Sequence, residues 1–266
     1  MKQFLQDICR GAGRITLDYR KRLSSLNVEK KSPKDVVTEA DKVVERFIVD
    51  SIRKRYPDHG LLGEESGVHE GRVGYRWIID PIDGTNSFLH KQPFYAVSIA
   101  LEKNGTIIMG AVNAPILDEF FFAERGRGAT LNDKPVKVST CDQLINGMMG
   151  TGFACVRNNH VRHNLPYFSA ILPNIRGIRR FGSVAIDLSY VACGRLDGFW
   201  ELGLHLYDIA AGALILEEAG GTFTDFRGQK DNIPNEIVGT NGLLHTPLLA
   251  MLQEVDRRAE GGKIGG

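Results

Sequence analysis

The pattern between residues 95 and 113 predicts a long β-hairpin, and any fold of this chain must be built around it. From 95 to 101, bulky apolar side chains alternate with small or polar ones, a two-residue period that is typical of a β-strand. Asn104 and Gly105 follow, and this dipeptide favours the tight turn of a two-residue hairpin. We therefore expect residues 106–113 to return as the partner strand and residues 136–138 to extend the same antiparallel sheet.

Helical and strand patterns alternate in the second half of the chain. The strand-like segments lie near Met148, Ile178, Phe199, Phe223 and Ile237, and the clearest helical segments are 183–193, 208–219 and 247–258. Helices interleaved with strands are typical of layered α/β domains. We expect a single domain over residues 1–266, of the α/β (α+β) class, with two sheets and helices between and outside them. A loose division near residue 140 would separate residues 1–140 from residues 141–266.

The composition narrows the classes of function. Lysine and arginine number 33 against 32 aspartate and glutamate, so the net charge is only +1, whereas a protein that binds nucleic acid in bulk usually carries a basic excess. The apolar stretches are too short to cross a bilayer, and the first twenty residues have the spacing of an amphipathic helix rather than of a secretory signal. We expect a cytoplasmic protein with no membrane association and no direct contact to nucleic acid.

An acidic segment follows a short apolar strand at residues 77–85, which read WIIDPIDGT. Asp80 and Asp83 are three residues apart, and burying two carboxylates beside an apolar strand is costly unless a cation compensates their charge. Few basic residues are near in sequence, and hard oxygen ligands favour magnesium or manganese over zinc. The segment therefore predicts a divalent metal site.

A purely structural interpretation of the acidic residues stays open. Asp-Pro and Asp-Gly are common turn dipeptides, so residues 80–84 could form a turn without any ligand. Asp208 could serve only as the N-cap of a helix of small residues, and Asp41 could only complete the capping box that begins at Thr38. With Glu64 at the end of another apolar strand, however, the acids form three clusters at the ends of strands or helices. Their combination favours the metal site.

Four motifs follow one another along the chain. They are DVVTEAD at 35–41, GEES at 63–66, WIIDPIDGTNSF at 77–88 and YDIAAGALILEEAGG at 207–221. In this order they make the sequence resemble the inositol monophosphatase family of magnesium-dependent phosphatases along nearly its whole length. The run RRFGS at 179–183 is similar to that of bacterial members, the inositol-1-monophosphatases. The resemblance implies a homodimer and the layered α-β-α-β-α sandwich that this family shares with fructose-1,6-bisphosphatases.

The resemblance also implies roles for individual residues. Two or three Mg²⁺ ions, with Mn²⁺ as a substitute, would be bound by Glu64, Asp80, Asp83, Asp208 and the backbone carbonyl of Ile82. The catalytic residues that prepare the attacking water would be Glu64, Thr85 and Asp41. The substrate would be contacted by Asp83, Gly84, Thr85, Arg179, Val184, Glu201 and Asp208. A loop near residues 30–32 would close over the site.

The implied activity is hydrolysis of inositol 1-phosphate or a related sugar or polyol phosphate, by direct attack of water on phosphorus. Glu201 matches an acid that contacts inositol in the family. Fructose 1,6-bisphosphate, histidinol phosphate and adenosine 3',5'-bisphosphate are alternative substrates, and Asn86 and Ser87 argue against the last because the nucleotide enzymes commonly have Lys-Glu there. Another class of function also stays open, because some bacterial relatives are partner-binding factors in transcription or ribosome assembly.

Overall fold

The computed structural model of the protein describes residues 1–23, 28–32, 35–157, 160–230 and 233–261. Its helices are α1 (Lys2–Arg20), α2 (Glu39–Arg55), α3 (Thr85–Leu89), α4 (Ala154–Arg157), α5 (Leu165–Ile171), α6 (Val184–Ala192), α7 (Leu206–Glu218) and α8 (His245–Gly261). None of these described helices is long and apolar enough to cross a membrane.

The described strands form two sheets and a separate hairpin. The hairpin consists of β1 (Val28–Ser32) and β2 (Asp35–Thr38). The large sheet consists of β3 (Gly60–Gly63), β4 (Gly67–His69), β5 (Tyr75–Asp83), β6 (Ala96–Lys103), β7 (Thr106–Ala114), β8 (Glu119–Glu124), β9 (Ala129–Leu131) and β10 (Lys134–Pro135). The small sheet consists of β11 (Met148–Thr151), β12 (Gly177–Arg179), β13 (Gly198–Leu202), β14 (Thr222–Thr224) and β15 (Glu236–Thr240).

The large sheet has the strand order β10-β9-β8-β7-β6-β5-β3-β4. Strands β6 and β7 pair antiparallel, as predicted, and the turn between them places Asn104 and Gly105 at φ angles of 49° and 80°. Strands β3 and β5 pair parallel, with Gly63 opposite Ile79. Because parallel strands end at the same edge of a sheet, Glu64 and Asp80 leave this pair side by side.

The prediction of a strand at residues 136–138 is wrong. The last strand of the sheet is β10, which ends at Pro135. The backbone N–H of Val136 still reaches the carbonyl of Ala129 at 3.0 Å, but the N–H of Val138 donates to the carbonyl of Ala219 at 3.2 Å. The chain therefore leaves the large sheet here and runs along the end of α7, because three alternating residues are too few to hold a strand against that contact.

The small sheet has the strand order β12-β11-β13-β15-β14. Each of its strands contains one of the five segments predicted as strand-like in the second half. Strand β11 runs parallel to β12 and β13, whereas β15 runs antiparallel to β13 and β14. The three helices predicted in this half correspond to α6, α7 and α8.

Alternate residues of each sheet face different helices, and this produces five layers. In the large sheet Ile78 packs with α6 and α7, whereas its neighbours Trp77 and Ile79 pack with α1 and α2. In the small sheet Phe199 also packs with α6 and α7, whereas Trp200 packs with α5 and α8. The protein therefore has the predicted α-β-α-β-α arrangement, with α6 and α7 between the two sheets.

Small residues hold α7 close to its neighbours in the central layer. A Cβ atom added to Gly110 in β7 would lie 2.9 Å from the Cα of Ala211. A Cβ atom added to Gly212 would lie 2.9 Å from the Cβ of Leu188 in α6. Since both contacts leave no room for a larger side chain, the position of the helix that carries Asp208 is closely determined.

Candidate active site

A cavity of about 110 Å³ opens where β5, α3, α6, α7 and the ends of β11 and β13 meet. This volume accommodates several water-sized groups. Most of the predicted site residues line it, namely Glu64, Asp80, Ile82, Asp83, Gly84, Thr85, Val184, Glu201 and Asp208. The fold thus brings residues from both halves of the sequence to one place.

The carboxylates of this cavity repel one another. Asp80 is only 2% exposed, and burial raises its pKa well above the usual range, with the charges of Glu64 and Asp83 raising it further. Partial burial also raises the pKa of Asp208, and Asp83 and Glu64 again act in the same direction. Such a group of acids is stabilised by added positive charge.

Backbone groups orient two of these carboxylates. The N–H of Ile82 donates to Oδ1 of Asp80 at 3.1 Å, where the pairing of β5 with β6 shifts its register between Asp80 and Asp83. The N–H of His205 donates to Oδ2 of Asp208 at 2.7 Å, and Asp208 thereby completes the capping box of α7. The N-cap of α7 is therefore His205 and not Asp208, as the structural interpretation had it; Asp208 is the third residue of the helix, and it lines the cavity as well.

Asp83 joins the end of β5 to the start of α6. Its Oδ2 accepts hydrogen bonds from the hydroxyl of Ser183 at 2.7 Å and from the N–H of Ala185 at 2.6 Å. Ser183 is also the N-cap of α6, since its hydroxyl oxygen accepts from the N–H of Ile186 at 3.2 Å. A carboxylate at a helix N-terminus interacts favourably with the helix dipole, so the second half of the chain holds this acid of the first half in place.

A tight backbone reversal at Gly84 connects β5 to α3. Gly84 has a φ angle of 93°, and an added Cβ atom would lie 2.9 Å from the carbonyl oxygen of Phe94 and 3.1 Å from that of Gly182. Both the backbone angle and the lack of space require glycine. Thr85 then begins α3, and its hydroxyl lies 3.1 Å from the carbonyl oxygen of Ile82.

Asp41 lies behind Thr85, outside the cavity wall. Its Oδ1 is 3.3 Å from the hydroxyl of Thr85, and its Oδ2 accepts from the N–H of Thr38 at 2.8 Å as part of the predicted capping box of α2. Burial raises the pKa of Asp41 to about 6, against the lowering effect of the hydrogen bonds from Thr38, and the nearby charge of Glu65 adds to the rise. Asp41 therefore reaches the cavity only through Thr85.

The loop predicted to close over the site belongs to the β1–β2 hairpin. Its residues 30–32 pair antiparallel with β2, which leads directly into Thr38 and α2. The side chains of residues 30–32 lie outside the described part of the structure. The predicted closure therefore stays a prediction.

Glu201 and Val184 lie on the wall of the cavity formed by the second half of the chain. Glu201 in β13 is 5% exposed, and its Oε1 accepts a hydrogen bond from the N–H of Ala154 at 3.0 Å. A Cβ atom added to Gly152 would lie 2.0 Å from Oε2 of Glu201. This glycine therefore allows the backbone that follows β11 to pass close to the carboxylate.

Arg180 lines the cavity, whereas Arg179, the predicted substrate contact, does not. The guanidinium of Arg179 donates to the carbonyl oxygen of Ile178 at 2.8 Å, and the side chain is exposed. The two arginines are adjacent in a short extended segment, where successive side chains point to opposite sides. Only the position of this segment in the fold selects which of them faces the cavity.

Asp187 is a further acid of the cavity wall that the sequence prediction omitted. Burial raises its pKa well above the usual range, and Glu201 and Asp83 contribute, whereas Arg180 acts in the opposite direction. Within the described part of the chain, its Oδ1 has no hydrogen-bond partner. The sequence contains a signal for this residue, because Asp187 is the single charge in the otherwise apolar or small helix α6.

The donor set of the cavity fits a hard divalent cation. The candidate ligands offer only oxygen, and their mutual repulsion would be relieved by a bound Mg²⁺ or Mn²⁺. Among the described residues, no three acidic, histidine or cysteine side chains converge closely enough to hold an ion as they stand. The ligand types are therefore right for magnesium.

Several known proteins are similar in sequence to this chain over most of its length. The profile of the inositol monophosphatase family matches residues 1–257. The Nus factor SuhB of Pseudomonas aeruginosa is 41% identical over 250 residues, which are 92% of this chain and 92% of the relative. The inositol-1-monophosphatase of Mesorhizobium japonicum is 41% identical over 234 residues, which are 87% of this chain and 88% of the relative.

A solved structure shows the same fold. The extragenic suppressor protein suhB from Bartonella henselae matches with a TM-score of 0.89 at 39% sequence identity, over 94% of this chain and 97% of the other. The four motifs, the five-layered fold and the acidic cavity all agree with this relationship. The chain therefore belongs to the inositol monophosphatase family.

Proposed function

We propose that this protein is a magnesium-dependent phosphomonoesterase that hydrolyses inositol 1-phosphate or a related sugar or polyol phosphate. The observation that supports the proposal is that Glu64, Asp80, Asp83 and Asp208 line one cavity, together with Glu201. These acids come from three separate motifs, and their repulsion suits a site that binds cations and, through them, a phosphate group. A relative with 41% identity that is named inositol-1-monophosphatase supports the choice of substrate.

The proposed ions, two or three Mg²⁺ with Mn²⁺ as a substitute, would be held by Glu64, Asp80, Asp83, Asp208 and the carbonyl oxygen of Ile82. When bound, they would neutralise the charge of the phosphate and make a water molecule more acidic. The hydrogen bonds from Ile82, Ser183, Ala185 and His205 already orient three of the carboxylates. Hydrogen bonds of this kind fix the orientation of the carboxylates that bind a metal.

Thr85 and Asp41 would orient the attacking water. With a pKa of about 6, Asp41 is ionised at neutral pH, so its Oδ1 can accept a hydrogen bond from the Thr85 hydroxyl at 3.3 Å. The oxygen of Thr85 then offers its lone pairs to a water molecule in the cavity. Glu64, which directly follows β3, would accept a proton from that water.

The backbone at the start of α3 would bind the phosphate. Gly84 and Thr85 line the cavity, and the first N–H groups of a helix have no partner within the helix. Donors that already point at the place where negative charge develops stabilise the transition state without further reorganisation. Gly84 allows the phosphate to approach closely, because it carries no side chain.

Glu201 and Val184 would contact the part of the substrate that carries hydroxyl groups. A carboxylate that is 5% exposed and held by the N–H of Ala154 can accept hydrogen bonds from hydroxyls. Val184 is 8% exposed and limits the width of the cavity beside it. A polyol therefore suits this wall better than a nucleotide base.

The experiment that tests the proposal measures phosphate release from a panel of compounds, with Mg²⁺ and with a chelator. The panel contains inositol 1-phosphate, fructose 1,6-bisphosphate, histidinol phosphate and adenosine 3',5'-bisphosphate. We expect Mg²⁺-dependent release, fastest from inositol 1-phosphate. Release from none of the four would contradict the proposal.

A second candidate function is supported by the name of one relative. The Pseudomonas aeruginosa protein, which is 41% identical, is named Nus factor SuhB. A partner-binding role in transcription or ribosome assembly would use the outer surface of the proposed cytoplasmic homodimer, with any contact to nucleic acid made through another protein. Recovery of this protein in a polymerase complex, together with no phosphatase activity on the panel, would favour this second function.

A further inference from the structure

The charges on the cavity wall are strongly unequal. Among the described residues that line it, the acids are Glu64, Asp80, Asp83, Asp187, Glu201 and Asp208, and the only cation is Arg180. Bound Mg²⁺ would balance the acids where the phosphate to be removed is held. Any other negatively charged group of a substrate would meet Asp187 and Glu201, which repel it, or Arg180, which attracts it.

The guanidinium of Arg180 is available to a ligand. It forms no ion pair and no hydrogen bond with any residue that the structure describes, and its side chain is exposed. Its positive charge lowers the pKa of Asp187 against the larger, raising effect of burial. Its five N–H donors can therefore serve a bound anion.

The backbone that carries Arg180 is firmly attached to the start of α3. The hydroxyl of Ser87 donates to the carbonyl oxygen of Phe181 at 3.2 Å. A Cβ atom added to Gly84 would lie only 3.1 Å from the carbonyl oxygen of Gly182. Gly182 has a φ angle of 89°, and an added Cβ atom would lie 2.5 Å from Nη1 of Arg180. The guanidinium therefore lies over Gly182, next to the backbone proposed to bind the phosphate.

We propose that Arg180 is a specificity-determining residue that binds a second anionic group of the substrate, either a phosphate or a carboxylate. The inference rests on the proposed phosphatase function and adds to inositol 1-phosphate a second substrate class for the same site, the sugar or polyol phosphates that carry another negative charge. A planar guanidinium forms two parallel hydrogen bonds with either group, which a lysine cannot do. Glu201 and Asp187 would meet the hydroxyl groups between the two anions.

The test compares substrates that differ in the second anion. Glucitol 6-phosphate carries none, 6-phosphogluconate replaces its terminal alcohol by a carboxylate, and fructose 1,6-bisphosphate carries a second phosphate. Arg180→Gln removes the charge, and the control Arg179→Gln removes the charge of the neighbour outside the cavity. Thermal unfolding of both variants checks that they fold, which is expected because both side chains are exposed.

We expect Arg180→Gln to lower kcat/KM about tenfold more for the substrates with a second anion than for glucitol 6-phosphate, mainly through KM. The compound with the larger loss shows whether the site prefers phosphate or carboxylate. Arg179→Gln should change the same ratio by less than about twofold. An equal loss on all three compounds, or no loss on any, would overturn the proposal.

Isothermal titration calorimetry in Mg²⁺ measures the binding of 6-phosphogluconate and of glucitol 6-phosphate. It tests the role of Arg180 independently of the proposed catalytic function. If the wild-type protein releases phosphate from no compound, the proposed function fails, and the ratio of the two Kd values alone decides the role of Arg180. We expect Arg180→Gln to weaken binding of 6-phosphogluconate about tenfold more than that of glucitol 6-phosphate. Equal changes would contradict the role of Arg180 whether or not the protein is an enzyme.

Discussion

The two walls of the cavity are built in different ways. On the acidic wall, Glu64 and Asp80 come directly from the parallel strands β3 and β5, and Asp83 from the end of β5. On the opposite wall, Glu201 and Arg180 come from separate segments that share no short motif. The charge of the first wall is therefore a property of local sequence, whereas the side chains of the second are brought together only by the packing of distant segments.

The largest expected effect concerns the acidic wall. Asp83→Asn removes one proposed ligand charge while its amide oxygen can still accept from Ser183 and Ala185, so the fold should remain. We expect Mg²⁺-dependent phosphate release to fall about 1,000-fold, because a metal ion contributes several kcal/mol of charge stabilisation. Asp50→Asn, on the exposed face of α2, is the control and should keep wild-type activity. Wild-type turnover by Asp83→Asn at saturating Mg²⁺ would remove this wall from the mechanism.

When the proposed metal is removed, the free energy of unfolding should depend on pH through the buried acids. The folded-state pKa of Asp41 is raised to about 6 and those of Asp80 and Asp208 are also raised, so the folded protein binds more protons than the unfolded chain above about pH 4. The contribution of these groups to stability is therefore lost as pH rises through their folded-state pKa values. Bound Mg²⁺ should restore about 2.7 kcal/mol at 100 times its Kd.

Thermal unfolding between pH 5 and about pH 8, with chelator and with Mg²⁺, measures this effect. We expect the difference in Tm between the two conditions to widen as pH rises. The opposite wall supplies the control, since Arg180→Gln should leave the widening in place. Parallel Tm profiles with and without Mg²⁺ would show that the buried acids carry no such penalty.

A smaller effect is expected where the two walls touch. Gly84→Ala places a Cβ atom 2.9 Å from the carbonyl oxygen of Phe94 at a φ angle of 93°. Gly126→Ala is the matched control, because its φ angle is 75° and an added Cβ atom meets nothing within 4 Å. The first substitution should lower the free energy of unfolding in urea by about 1–3 kcal/mol more than the second. Equal losses would mean that only the backbone angle matters at Gly84.

The smallest expected effect concerns the opposite wall. Glu201→Gln keeps the acceptor for the N–H of Ala154 and removes the charge. We expect kcat/KM to fall about tenfold more for inositol 1-phosphate than for p-nitrophenyl phosphate, which has no hydroxyl for this residue to bind. A uniform loss on both compounds would make Glu201 a structural residue, and the two walls would then not differ in selectivity.

Much of the fold could be predicted because its signals act over short distances. The two-residue period of β6, the Asn104-Gly105 turn and the capping box at Thr38 each depend on neighbouring residues, and each is confirmed. Residues 136–138 show where such reasoning ends. Their alternation is real, but a hydrogen bond from Val138 to Ala219, which is remote in sequence, draws the chain away from the sheet.

The candidate site divides in the same way. Glu64, Asp80, Asp83 and Asp208 could be named from the sequence because each stands beside a strand or helix end that its own neighbours predict. Local signals could not predict that Arg180 rather than Arg179 lines the cavity. They also could not place Asp187 on its wall. Only the charge of Asp187 in an apolar helix gave a local sign.

By itself, therefore, the sequence determined many of the elements, the layered class of the fold and most of the acidic residues of the cavity, because strand period, capping and turn chemistry operate within a few positions. The tertiary structure alone decided that Asp41 contacts Thr85, that Arg180 lines the cavity and that Ser183 donates a hydrogen bond to Asp83. The last contact joins residues 100 positions apart. Such contacts depend on how complete layers pack, and no local pattern carries that information.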